Sequence, residues 1–314
     1  MALKTKEIKE MVNVLNEKIT DLYAIYNGDC VEVSKGIPDE TIDLSIFSPP
    51  FASLYTYSNS ERDMGNNKEN DSFYLHFGFL VDELMRMTKK GRIVAVHCMN
   101  IPAMKERDGY IGLKDFRGDI IRLFQSKGFI FHSEHCIWKD PLIEATRTKA
   151  IGLMHKQLCK DSSMCRAGIP DYLLAFRKPG ENPDRVQNTK GLELFYGENE
   201  PEHGNLSHER WRRYASPVWM DIRMNNTLQY MSARENEDER HICPLSLDIS
   251  KRAIQLWSNE KERVFTPFMG IGSEVYSAVE LNRYGIGIEL KETYFNQALK
   301  NIEHLENSNQ LKFF

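Results

Sequence analysis

The sequence predicts an α/β fold built on one mostly parallel sheet, and three observations carry the prediction. Short apolar segments bounded by turn residues recur along the chain, and segments of helical periodicity fall between them. A glycine-bearing turn, Met269-Gly270-Ile271-Gly272, joins one apolar segment directly to the helix that follows it.

The N-terminal residues 1–19 alternate charged and apolar side chains at helical spacing and hold no continuous apolar run. They are expected to form an amphipathic surface helix and not an export signal. Segments 23–26, 42–47 and 92–97 have the apolar content of buried strands. Between the last two, residues 73–88 place Phe77, Leu80, Leu84 and Met87 on one helical face, with Lys89-Lys90-Gly91 as the stop, completing a βαβ unit. A helix at 119–126 closed by Lys127-Gly128, a strand at 129–138 and a last strand at 172–176 follow. From 181 to 240 the chain turns polar and rich in Asn, Glu and Arg, which breaks the alternation and marks an insert. Periodicity returns with a helix at 245–257, a strand at 264–268, a helix at 273–282 that Ser273 can cap, a strand at 284–289 and a helix from 292. The expected organisation is one domain in two halves, 1–180 and 241–314, separated by the insert at 181–240.

With 41 Lys and Arg against 45 Asp and Glu, the formal charge of -4 offers no global basic field, so a nucleic-acid contact would need local clusters. No stretch approaches the roughly 20 apolar residues of a membrane span, so no membrane partner is expected. The six cysteines, at 30, 98, 136, 159, 165 and 243, form no CxxC pair. That pattern suits reduced thiols in the cytoplasm better than a disulfide framework or a metal site, and no metal is expected.

The turn Phe268-Met269-Gly270-Ile271-Gly272-Ser273, entered through Pro267, lets backbone approach a ligand where a Cβ would clash. The next strand ends in Glu289, placed to accept hydrogen bonds from both hydroxyls of a ribose. The loop lacks both GxGxxG and a Lys-Ser/Thr, so neither a dinucleotide fingerprint nor a phosphate loop is complete. S-adenosylmethionine, which has a ribose and no phosphate, fits the omission. Asn27-Gly28-Asp29, just past the first strand, supplies either a second strand-end carboxylate, Asp29, or a tight turn.

Ser48-Pro49-Pro50-Phe51 follows a buried strand directly, and two prolines end the ladder in a rigid turn. Alone, the tetrad is a turn with Phe51 in the core, or a polar group and a ring offered at the sheet edge where open α/β folds bind ligands. Together with the Asn27-Gly28-Asp29 turn, the glycine loop, Glu289 and the segment 241–257, it resembles the DNA amino-methyltransferases, whose members carry Asp, Asn or Ser, then Pro-Pro, then Tyr, Phe or Trp. The tetrad precedes the glycine loop with a variable insert between, which is similar to the permuted β group of that family.

The resemblance implies a Rossmann-like methyltransferase sheet, S-adenosylmethionine as cofactor, DNA as substrate and partner, a catalytic half at 1–180, a target-recognition insert at 181–240 and a cofactor-binding half at 241–314. Ser48 and the Pro49 carbonyl would accept from the two hydrogens of an exocyclic amine, and Phe51 would stack on a flipped base. Family members with Ser at the first position mostly methylate cytosine N4 and those with Asp mostly adenine N6, so cytosine is expected and adenine is the alternative. A catalytically inactive DNA-binding protein of the same fold is the reading from another class. Thr266 stands where the family usually has an acid before Pro-Phe.

On the DNA side, Arg210-Trp211-Arg212-Arg213 in the insert joins cations for phosphates to an aromatic for bases, or else forms a solvated face. Residues 139–168, with Arg147 and Lys149, are net basic and would line the same cleft. His97, at a strand end, either bonds within the site or is a satisfied core histidine. A second copy of the chain and a cognate restriction enzyme are partners compatible with this reading.

Overall fold

The computed structural model describes residues 14–50, 70–148, 152–187, 205–229 and 244–310. Eleven strands are assigned among them: β1 (Asn16–Ile19), β2 (Tyr23–Asn27), β3 (Ile42–Phe47), β4 (Thr88–Met99), β5 (Ile101–Ala103), β6 (Gly112–Lys114), β7 (Ile130–Ile137), β8 (Asp171–Arg177), β9 (Val218–Trp219), β10 (Arg263–Thr266) and β11 (Tyr284–Glu289). The principal helices are α1 (Cys30–Lys35), α2 (Asn70–Met87), α3 (Phe116–Ser126), α4 (Pro141–Thr148), α5 (Asn205–Ala215), α6 (Leu247–Trp257), α7 (Ser273–Glu280) and α8 (Glu292–Gln310).

Nine strands form one sheet in the order β1-β2-β11-β10-β3-β4-β8-β7-β9, while β5 and β6 pair apart. The five central strands, β2, β11, β10, β3 and β4, are mutually parallel. β8 runs antiparallel to both β4 and β7. The sheet is thus mostly parallel, as expected, and the antiparallel pairs lie toward its edges.

Strand faces alternate, so each strand feeds two cores. On one face Val94, Val96, Leu174, Phe176 and Ile286 pack under α1, α2 and α3, with Phe124 stacked on Phe176 at 4.2 Å. The other face sends Leu44, Ile46, Ala95 and Leu173 toward α6, and Tyr23 and Ile25 toward α7 and α8. Burial on both faces explains why β3, with all six residues buried, is a continuous apolar run interrupted only by Asp43 and Ser45. Asp43 is held by Lys89 at 2.7 Å, and the buried Arg92 pairs with Glu262, tying β4 to the start of β10 at the amino edge.

Four expectations are corrected. Residues 16–19, expected in a helix, form β1 antiparallel to β2; four residues that alternate exposed and half-buried satisfy a period of two as well as 3.6. Lys89 and Lys90, expected as a helix stop, are already in β4. The segment 181–240, expected to leave the alternation, supplies α5 and β9, and β9 pairs with β7. The Trp219 ring, 1% exposed, lies 4.3 Å from that of His135 and anchors this edge. Finally, Ser273 does not cap α7: Gly272, at φ 94°, is the cap and Ser273 is the first helical residue.

Candidate active site at the carboxyl edge of the sheet

All five parallel strands end on one edge, and their last residues are the polar ones: Asn27 on β2, Glu289 on β11, Thr266 on β10, Ser48 just past β3 and His97 near the end of β4. That edge is where an open parallel sheet leaves a crevice for ligands.

On the β10–β11 side, Glu289 Oε2 accepts from the Gly270 N–H at 2.8 Å and Oε1 accepts from the Lys291 N–H at 2.8 Å. Asn27 donates through Nδ2 to the carbonyls of Glu289 (2.8 Å) and Leu290 (3.0 Å), fixing the strand end that carries the acid. The glycine loop is fastened by the Met269 N–H to the Ile288 carbonyl and by Asn301 Nδ2 to the Ile271 carbonyl. Its two glycines differ in purpose. A Cβ on Gly270, at φ 54°, would meet nothing within 4 Å, so the backbone there lines open space. One on Gly272 would press on the Ala298 Cβ at 3.1 Å, so this glycine lets α8 approach. Pro267 is buried, and Phe268 lies edge-on to Phe47 at 5.7 Å, joining the loop to the strand that leads to Ser48.

Two hydroxyls beneath this loop, Thr266 Oγ1 and Ser273 Oγ, are buried with no hydrogen-bond partner among the described residues. Glu274, in the first turn of α7, is 4% exposed, and burial, reinforced by the charge of Glu289, raises its carboxyl to about 8. An acid at the ribose position, an open cradle at Gly270 and unsatisfied polar atoms below fit a nucleoside carrying an amino-acid tail, which is the shape of S-adenosylmethionine. Asp29 does not share in this arrangement: its Oδ1 caps α1, accepting from the Val31 and Glu32 N–H groups at 3.0 Å each. The Asp29…Glu32 spacing is a capping-box pattern that could have been recognised in the sequence.

Across the edge, Ser48 Oγ is 2.8 Å from His97 Nδ1. His97 Nε2 faces Asp171 Oδ2 at 3.4 Å, and Asp171 Oδ1 accepts from Lys139 Nζ at 2.6 Å. Burial alone would raise the Asp171 carboxyl, but Lys139 and His97 outweigh it and hold it at about 2. Each member comes from a different element: the turn after β3, β4, the first residue of β8, and the chain just past β7. The β4–β8 and β7–β8 registers, which set Asp171 opposite Met99 and Ile137, assemble them. Sequence reasoning left His97 open and missed Asp171 and Lys139; only the adjacency of β4, β8 and β7 reveals them. Pro49 is buried and Pro50 half-buried, whereas Phe51 lies outside the described residues.

The basic residues are divided. On α5, Trp211 (59% exposed), Arg212 and Arg213 face outward. Arg210 does not: it is 4% exposed with its guanidinium 5.6 Å from the Tyr214 ring, so it is packed into the helix base and turned away from any phosphate. Arg147 is on α4 but its side chain, like the whole of Lys149, is outside the described residues. Among the described residues no helix is long and apolar enough to cross a membrane.

Known proteins bear on this geometry. The chain is 25% identical over 296 residues to the type II methyltransferase M.BamHI of Bacillus amyloliquefaciens, a match that takes in 92% of this chain and 59% of the relative. It thus spans about three-fifths of that protein's length. The orphan methyltransferase M.BamHII of the same organism is 26% identical over 275 residues, covering 86% of this chain and 92% of the relative. Among solved structures, the cytosine-N4-specific PvuII DNA methyltransferase superposes with a TM-score of 0.61 at 17% identity, over 91% of this chain and 89% of that one. The DNA modification methylase TTHA0409 of Thermus thermophilus, complexed with S-adenosyl-L-methionine, does so with a TM-score of 0.61 at 19% identity, over 89% and 94%. Both likenesses place the fold among methyltransferase sheets. The DNA methylase family profile matches residues 42–300, most of the chain, and the chain belongs to that N6/N4 DNA methylase family.

Proposed function

We propose that the chain transfers a methyl group from S-adenosylmethionine to the exocyclic amine of a base flipped out of DNA, and that the base is cytosine, modified at N4. The observation that carries the reading is Ser48, held by His97 at the sheet edge that Glu289 and the glycine loop also line.

When bound, the cofactor supplies a methyl group on a sulfonium, a leaving group that needs no covalent enzyme intermediate. Glu289 would receive the ribose hydroxyls, Gly270 would admit the nucleoside close to backbone, and Thr266, Ser273 and Glu274 are the groups at hand for the amino-acid tail. An exocyclic amine is a poor nucleophile because its lone pair is delocalised into the ring. Acceptors at Ser48 Oγ and the Pro49 carbonyl would hold its two hydrogens and favour a pyramidal nitrogen. Phe51 would stack on the base and offset part of the few kcal/mol spent unstacking it.

DNA would lie along the outward residues of α5, Trp211, Arg212 and Arg213, with Arg147 and Lys149 on the facing stretch. In this reading the segment 181–240 recognises the target sequence between the catalytic and cofactor-binding halves, and the enzyme works in the cytoplasm. The relatives include a type II and an orphan methyltransferase, so both a restriction partner and independent action suit it. The test is methyl transfer from labelled cofactor to unmethylated DNA. Label in DNA with the native chain and its loss in Ser48→Ala are expected; no label in any DNA would refute the reading.

A further inference from the structure

We propose that Asp171, clamped by Lys139, acts through His97 to make Ser48 Oγ a pure acceptor toward the target amine and to draw off the proton that the amine sheds. The proposal rests on the methyl-transfer reading above and assigns a task to three residues that the tetrad does not contain.

The inference follows from counting donors along the chain of contacts. His97 Nε2 is buried, and the polar atom it faces is Asp171 Oδ2 at 3.4 Å. Asp171 is ionised at neutral pH, beside Lys139 at 2.6 Å, and a carboxylate only accepts. A bare nitrogen at Nε2 would set two acceptors against each other in a site that excludes water. Nε2 therefore carries the imidazole hydrogen. A neutral imidazole has one N–H, so Nδ1 is an acceptor, and Ser48 Oγ, 2.8 Å away, must be the donor in that contact. With its hydrogen committed to His97, the hydroxyl has only lone pairs left for the crevice. A serine, which could otherwise turn its own hydrogen toward the amine and repel it, is thereby made to present acceptors alone, as a carboxylate would.

The proton balance uses the same path. When the amine nitrogen forms its bond to the methyl carbon, the sulfur keeps the electron pair of the broken bond and the nitrogen is left with one proton too many. Ser48 Oγ takes that proton as its own passes to His97 Nδ1. Serine is neutral before and after, and the imidazole becomes an imidazolium facing Asp171 until it releases the proton to solvent. The His97 and Asp171 side chains are 12% and 6% exposed, and the Lys139 stem closes the outer end. The arrangement is preorganised and screened from water, where fixed dipoles act most strongly.

Two measurements test it. Nitrogen NMR of the wild-type chain, labelled in the histidine rings and free of ligands, reports the His97 tautomer at neutral pH without any variant. Nε2–H is expected, and Nδ1–H would overturn the proposal. Kinetically, Asp171→Asn keeps the shape while removing the charge. It should lower kcat by roughly 100-fold while the cofactor Kd and the KM for DNA stay within about twofold. Native kcat, or an equal fall in cofactor affinity, would overturn the positioning role. A wild-type chain that labels no DNA would instead refute the methyl-transfer reading, and the tautomer would still decide which way Ser48 points.

Discussion

Replacing Glu274 by Gln should stabilise the ligand-free protein by an amount that grows with pH. The native carboxyl is raised to about 8 from an ordinary value of 4.5, chiefly by burial and then by Glu289. The sign follows from linkage: between those two values the unfolded chain has released the proton and the native chain still holds it, so stability falls as pH rises. At pH 5 the cost is under about 1 kcal/mol; at pH 7, some 2.5 units above the unfolded value, it reaches about 3 kcal/mol. A neutral Gln has no such dependence. Urea unfolding of both proteins should therefore give a stability difference, variant minus wild type, that increases by about 2.5 kcal/mol between pH 5 and pH 7. Any constant effect of the amide, such as a changed contact inside α7, cancels in that comparison. A pH-independent difference would show that Glu274 ionises in the folded protein and would remove it from the groups proposed for the cofactor tail. The same variant should bind S-adenosylmethionine more weakly, because a bound ammonium would ionise the acid that burial keeps neutral.

Three further outcomes follow from the site. Glu289→Ala leaves the Gly270 N–H without its 2.8 Å acceptor and removes the ribose ligand, so calorimetry should find the cofactor Kd raised roughly 10- to 100-fold, with little change in far-ultraviolet dichroism. Phe51→Ala should lower kcat roughly 5- to 150-fold, the worth of one stacked base, at nearly unchanged cofactor affinity; equal losses in both would mean that the ring packs and does not stack. Arg212→Ala combined with Arg213→Ala should weaken DNA binding alike across sequences and reduce the slope of log affinity against log salt by about 1.8, whereas Arg210→Ala should act on stability because that side chain is buried.

The strands that the sequence announced most clearly are those whose environment leaves one solution. β3 and β11 match their expected bounds to the residue, because each is an apolar run closed by turn-forming residues and buried on both faces. Direction is absent from such a run. Nothing in 129–138 or 172–176 distinguishes a parallel from an antiparallel neighbour, and β7 and β8 proved antiparallel. Short elements that depend on a partner were also illegible: β9 has two residues and owes its place to β7 and to the buried Trp219.

The site divides in the same way. Ser48, Glu289 and Gly270 stand beside local signals, a Pro-Pro break and a glycine turn, and were found from them. The residues that set the Ser48 hydroxyl lie at 97, 139 and 171, and only the order β3-β4-β8-β7 brings them together. Asp29 went the other way. As a strand-end acid it resembled a ligand, and its cap on α1 was written in the Glu32 three residues on.

The most direct test of the central claim is to identify the methylated nucleoside. Unmethylated genomic DNA would be incubated with the purified chain and S-adenosylmethionine, digested to nucleosides and separated by liquid chromatography with mass detection. N4-methylcytosine, absent with Ser48→Ala, is the predicted product. N6-methyladenine in its place would contradict the choice of base drawn from Ser48, and no methylated nucleoside at all would contradict the enzyme.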